Sequence, residues 1–133
     1  MALSLHEAVY NEDLAKTIEF IDRGDNVDET NYYGDTPLHF AASNGCLPIM
    51  RVLIDNGADL NIKNNRDSTP LHDAVEADCF EAVRVLVENG ADVNVKNYKN
   101  KTALDIAIKK GYTEIVKILE ECDQPDVKEP EFD

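Results

Sequence analysis

One pattern recurs along this chain with a period of thirty-three residues. Thr36-Pro37-Leu38-His39 is followed by Thr69-Pro70-Leu71-His72 and then by Thr102-Ala103-Leu104-Asp105, with no gap needed to align them. Asp55-Asn56-Gly57-Ala58-Asp59-Leu60-Asn61 falls in the same way on Glu88-Asn89-Gly90-Ala91-Asp92-Val93-Asn94, and sliding backwards sets Leu5-His6 under Leu38-His39 and Gly24 under Gly57. A period of this length marks a unit of supersecondary structure that cannot bury its own apolar face, so several copies must stack to make one core. Four units are expected, at about 1–30, 31–63, 64–96 and 97–122, with an acidic tail from 123 to 133 whose two prolines and many acids predict disorder.

The physics of one unit is clearest in the second. Thr36 suits a helix N-cap and Pro37 the first helical turn, where its missing N–H costs nothing. Leu38, Ala41 and Ala42 give an apolar turn small enough for a neighbouring helix to approach, and Asn44-Gly45 stops the helix. A second helix begins at about Pro48, with Ile49, Val52, Leu53 and Ile54 on one stripe, and Asn56-Gly57 closes it. From Ala58 to Ser68 a short extended finger crosses to the next unit. The third unit repeats this with Leu71, Ala74, Val83, Val85, Leu86 and Val87, and the fourth with Leu104, Ala107, Ile115, Val116, Ile118 and Leu119. The expected fold is all-α, a solenoid of helix pairs with short β-hairpin fingers.

The departures fall where an array must end. The first unit has no finger before it and carries Glu7, Glu12, Asp13, Lys16 and Glu19, and the fourth replaces proline with Ala103 and histidine with Asp105. Both are expected to act as caps, since terminal units need a polar outer face.

Composition narrows the partners. Twenty-seven Asp and Glu against thirteen Lys and Arg give a net charge of −14. That disfavours nucleic acid, where affinity comes from cationic clusters that release counterions, and it disfavours anionic membranes. No run reaches the roughly twenty apolar residues of a membrane span, and the start has no secretory pattern, so a cytoplasmic protein is expected, or one of the nucleus or of a host cell. Cys46, Cys79 and Cys122 are too few for a disulfide framework and are expected as thiols.

Catalytic and metal-binding patterns are missing from the sequence. No G-x-x-x-x-G-K-[ST], G-x-G-x-x-G, H-E-x-x-H, G-x-S-x-G or C-x-x-C occurs. His6, His39 and His72 stand at equivalent places in successive layers, which neighbouring-helix packing sets about 10 Å apart. Ligands of one zinc lie within roughly 2.1 Å of it, so these three cannot share a metal. No enzyme activity, cofactor or metal is expected.

A thirty-three-residue period that carries T-P-L-H and N-G-A-D-x-N resembles the ankyrin repeat, over everything but the last ten or so residues. Three things follow from the resemblance. The repeated histidine is a structural hydrogen-bonder between helix and finger. Asp67 and Asn100 stand where the family has a finger glycine, and both residue types tolerate positive φ. Function belongs to the concave face, lined by finger tips and the solvent side of each first helix, in binding another protein as adaptor or inhibitor, with the chain itself a monomer.

Read across that face, the finger rows are Tyr32, Asn65 and Tyr98; Tyr33, Arg66 and Lys99; and Asp35, Ser68 and Lys101. The helix rows are Ser43, Glu76 and Lys109, then Asn44, Ala77 and Lys110. Tyr32, Tyr33 and Tyr98 are side chains the fold does not need on projecting tips, and tyrosine is prominent in interfaces. Charge is polarised too: acids crowd the start, from Glu7 to Asp35, whereas Lys96, Lys99, Lys101, Lys109 and Lys110 gather in the fourth unit. The alternatives are a purely structural array or a substrate of modification. Asn61 and Asn94, each eight residues after a leucine, resemble the site at which asparaginyl hydroxylases modify such repeats.

Overall fold

The computed structural model describes residues 4–122, and the acidic tail lies outside the described residues. Eight helices form four pairs: α1 (Leu5–Tyr10) with α2 (Leu14–Asp22), α3 (Pro37–Asn44) with α4 (Leu47–Asp55), α5 (Pro70–Glu76) with α6 (Phe80–Glu88), and α7 (Ala103–Lys110) with α8 (Thr113–Cys122). The first helices stack as one row, α1 on α3 on α5 on α7, and the second helices as another, α2 on α4 on α6 on α8. Ala8, Ala41, Ala74 and Ala107 occupy one register of the first row and are fully buried. Their small side chains let the helices of that row approach closely. Behind them, Phe20, Leu53, Leu86 and Leu119 fill the equivalent place in the second row, each at most 3% exposed. Burying one such side chain contributes roughly 1.5–3 kcal/mol, and the gain is available only when the neighbouring unit is present.

Each first helix begins on a side-chain cap. The hydroxyls of Thr36, Thr69 and Thr102 accept from the backbone N–H of His39, His72 and Asp105, and those side chains accept in return from the threonine N–H. Ends are set by left-handed residues. Gly45 and Gly111 adopt φ of 65° and 74° after α3 and α7, while Glu12 and Asp78 stand in the same register at 57° and 56°. Glycine would be expected there, and Cβ-bearing residues hold the conformation at a cost.

The fingers differ from the expected β-hairpins. Among the described residues there is no strand: each finger is a tight turn built on an asparagine. The Asn64 N–H donates to Ser68 O at 2.9 Å, and its Oδ1 accepts from Arg66 N and Ser68 N at 2.8 and 3.0 Å. Asn31 and Asn97 make the same turns. Neighbouring fingers are joined by a single backbone bond, Asn65 N to Tyr33 O and Tyr98 N to Arg66 O, each 3.0 Å, too little for a ladder. Asp67 and Asn100 adopt φ of 58° and 63°, as expected of residues in the place of Gly34.

The end faces are less polar than expected of caps. Val9, Ala42 and Val75 are fully buried by the unit that follows each of them, whereas Ile108 in the same register is 56% exposed. At the other end Leu14 and Ile18 are partly exposed.

Candidate functional site

The repeated histidines fasten each first helix to the finger that follows. His39 Nδ1 accepts from Thr36 N–H at 3.0 Å, so its Nε2 carries the proton and donates to Ser68 O at 2.9 Å. His72 does the same with Thr69 and Lys101 O, and His6 Nε2 donates to Asp35 O at 3.0 Å. Burial pushes the His39 and His72 pKa values down, with the carbonyl bonds acting in the opposite sense. Each finger is thereby held at a fixed height over the first helices, and the space between is the groove.

Two cavities open along it. One, of about 260 Å³, lies between the fingers built on Asn31 and Asn64 and brings together Tyr33, Asp35, Asn65 and Arg66 with Asn64. The other, of about 380 Å³, brings Lys99 and Lys101 of the last finger to Glu76, Lys109 and Lys110 of the first helices, over Ile106. Lys110 Nζ lies 3.6 Å from Glu76 Oε1, spanning α7 and α5. Finger and helix rows thus share one surface at the fourth unit. Ser43 and Asn44 are exposed on α3, and Ser68 is partly exposed beside its histidine bond, but none of them lines either cavity.

The tyrosines project. Tyr32 is 88% exposed and meets Tyr33 edge-on at 5.4 Å, and Tyr98 is 60% exposed with Lys99 Nζ 5.7 Å from its ring. Asn65 Nδ2 donates to Tyr32 O at 3.1 Å, so the tip's backbone is tied down while its ring is not.

Sequence reasoning passed over a third helix row, Glu7, Phe40, Asp73 and Ile106. Tyr10, 67% exposed, and His6 both pack edge-on against the Phe40 ring at 5.8 Å. Asp73 sits in a largely buried place where desolvation first, and then the charge of Asp35, raise its pKa to about 7, against the pull of Arg66. The signal was available: this row varies in every unit beside a row of four invariant alanines, and variation amid repetition marks positions whose side chain the repeat does not prescribe.

Asp35, His39 and Asp73 each bring an atom of ligand type within 4.8 Å of the others. Both ring nitrogens of His39 are already committed, to Thr36 and to Ser68, so the histidine has no lone pair for an ion. Asp35 Oδ1 accepts from Asn64 Nδ2 at 2.8 Å, which makes the cluster a clasp between helix and fingers.

Asn61 Oδ1 accepts from Asp92 N of the next unit at 2.8 Å, as Asp28 Oδ1 does from Asp59 N at 2.9 Å. Asn94 is exposed, and its N–H donates to Asp92 Oδ1 at 2.9 Å. The side-chain bond accounts for the place of Asn61 in the pattern, whereas the bond of Asn94 is made by its backbone and does not depend on the asparagine side chain.

The ankyrin-repeat family, in a description of three copies, matches residues 5–97, well over half of the chain. The chain belongs to the ankyrin-repeat family. No curated protein matches it. Ankyrin repeats are modules of protein–protein interaction and are typically non-catalytic, and the helix pairs here are their stacked units. The pair α7–α8 extends the array beyond the matched span with the same capping box and the same left-handed stop. No helix among the described residues is long and apolar enough to cross a membrane.

Proposed function

We propose that this ankyrin array binds another protein through its concave face, without catalysis, as a monomeric adaptor or inhibitor in the cytoplasm. The observation that carries the reading is the row of exposed tyrosine rings on the finger tips: Tyr32, Tyr33 and Tyr98 are 88, 66 and 60% exposed. The fold has no use for them there. Large rings on rigid turns lose little entropy when they are covered, which makes them effective anchors. The uneven chemistry of the groove supports the same reading, with aromatic rings at Tyr10 and Phe40, carboxylates at Asp35 and Asp73, and lysines beyond.

The test is capture from lysate with the wild-type chain beside the Tyr32→Ala/Tyr33→Ala/Tyr98→Ala variant, followed by affinity measurement on whatever protein is retained. The variant is expected to lose about 2 kcal/mol or more of binding with its melting temperature unchanged. Equal retention by both would refute the finger-tip reading.

A further inference from the structure

We infer that the lysine-lined end of the groove takes an acidic segment of the partner protein, an extended stretch rich in Asp and Glu. This rests on the concave-face reading and names the chemistry of its occupant. Lys99, Lys101, Lys109 and Lys110 surround the cavity of about 380 Å³ and all four are exposed, against two acids in the same lining, Glu76 and Asp105, the second of which accepts from Thr102 N at 3.0 Å in its own helix cap. Lys101 and Lys109 make no ion pair among the described residues, and Lys110 has one, with Glu76 at 3.6 Å. Ammonium groups placed around a concavity reinforce one another, because field lines concentrate where low-dielectric walls exclude water.

The rest of the molecule makes this end selective. Between residues 97 and 122 five lysines face four acids, whereas residues 4–30 hold eight acids against two basic residues and residues 64–96 hold seven against three. The second unit is nearly neutral, with three acids against two basic residues between 31 and 63, so an acidic segment is repelled by the first and third units and drawn to the fourth, and charge fixes both the site and the direction in which the segment lies. A nucleic acid fits less well, because its phosphates continue beyond one unit and would run onto the acids of the third. Glu76 is the built-in competitor. A carboxylate of the partner must take Lys110 from it and lie close to its charge.

That gives the surface two opposite predictions. Fluorescence anisotropy of a short labelled Glu-Gly peptide is measured with the full chain at low salt, beside Gln-Gly and single-stranded RNA probes. The Glu-Gly peptide should bind about tenfold more tightly than the Gln-Gly peptide and lose this advantage in high salt. Lys101→Glu/Lys109→Glu should abolish the difference, and Glu76→Gln should tighten binding severalfold, with melting curves showing all variants folded. Equal binding of the two peptides, RNA binding as tight as the Glu-Gly peptide, or weaker binding by Glu76→Gln would each overturn the inference. So would a dimer that Lys101→Glu/Lys109→Glu dissolves, or an intramolecular crosslink from these lysines to residues 123–133. The former would assign the groove to a second copy, the latter to the chain's own end. A protein captured through the tyrosine tips with no preference for the Glu-Gly peptide refutes this inference alone. Preference for the peptide, with capture indifferent to the tyrosines, supports it and refutes the finger-tip reading.

Discussion

Asp73 and the two buried histidines titrate in opposite senses, and the pH dependence of the fold follows from which protons each holds. His39 and His72 have folded-state pKa values below their ordinary 6.5, so between the two values the unfolded chain binds more protons and stability falls on acidification. Asp73 is raised from 3.8 to about 7, so the folded chain binds more protons between those values and stability falls as pH rises through that window. The full shift corresponds to about 4 kcal/mol at 1.36 per unit, and the partial exposure of the carboxyl reduces this to about 2. Asp73→Asn should therefore stabilise the protein by about 2 kcal/mol at pH 8, with the gain vanishing near pH 4. Urea unfolding of both proteins across that range measures it. A difference constant with pH would mean that the gain is packing and not charge. Asp78 offers a second residue-scale check, because it holds φ of 56° at the place of Gly45 and Gly111. Asp78→Gly should raise stability by about 0.5–1 kcal/mol, and unchanged or lower stability would show that the turn is not strained.

At the scale of one element, the T-P-L-H turn carries more than its own helix. Thr69 caps α5 and orients His72, whose Nε2 then reaches 29 residues ahead to Lys101 O at 3.0 Å, so one cap holds the next unit's finger. Thr69→Ala should cost about 1–2 kcal/mol. His72→Ala should also destabilise, and the double variant should cost clearly less than the sum, because both remove one network. Additive losses in chemical denaturation would deny the coupling. These helices, their caps and their order were legible in the sequence, since Thr-Pro, Asn-Gly and the apolar stripe are local signals repeated at a fixed distance. The left-handed stops at Glu12 and Asp78 were not, because the residue types there do not announce the conformation and only register with Gly45 does. Nor was the finger's dependence on Asn31, Asn64 and Asn97, whose side chains replace the strand pairing that hairpins would need. In the proposed groove, the tyrosine tips and the lysines could be picked out of the sequence because they differ from unit to unit at positions the repeat places on one face. Phe40 and Asp73 were hidden because each resembles a core or surface residue until the helix row is read across units.

At the scale of the whole molecule, charge opposes folding and the ion pairs do little to offset it. A net charge of −14 is spread over a chain whose described ion pairs are five, all between exposed or half-exposed side chains. Such pairs contribute about 0–1 kcal/mol each and are screened readily. Repulsion among the acids of the first unit, where eight face two basic residues, acts over the whole surface and is screened by the same ions. Since the repulsive pairs outnumber the attractive ones, added salt removes more destabilisation than stabilisation. Thermal melts in rising sodium chloride should show the midpoint climbing, by about 3 °C for each kcal/mol of relief. A midpoint that falls with salt would mean that the few ion pairs outweigh the net charge. The lysine end of the groove should respond in the opposite way, losing its acidic peptide over the salt range in which the fold gains stability. Binding lost through screening can thus be told from binding lost through unfolding, because only the second is accompanied by a lower midpoint.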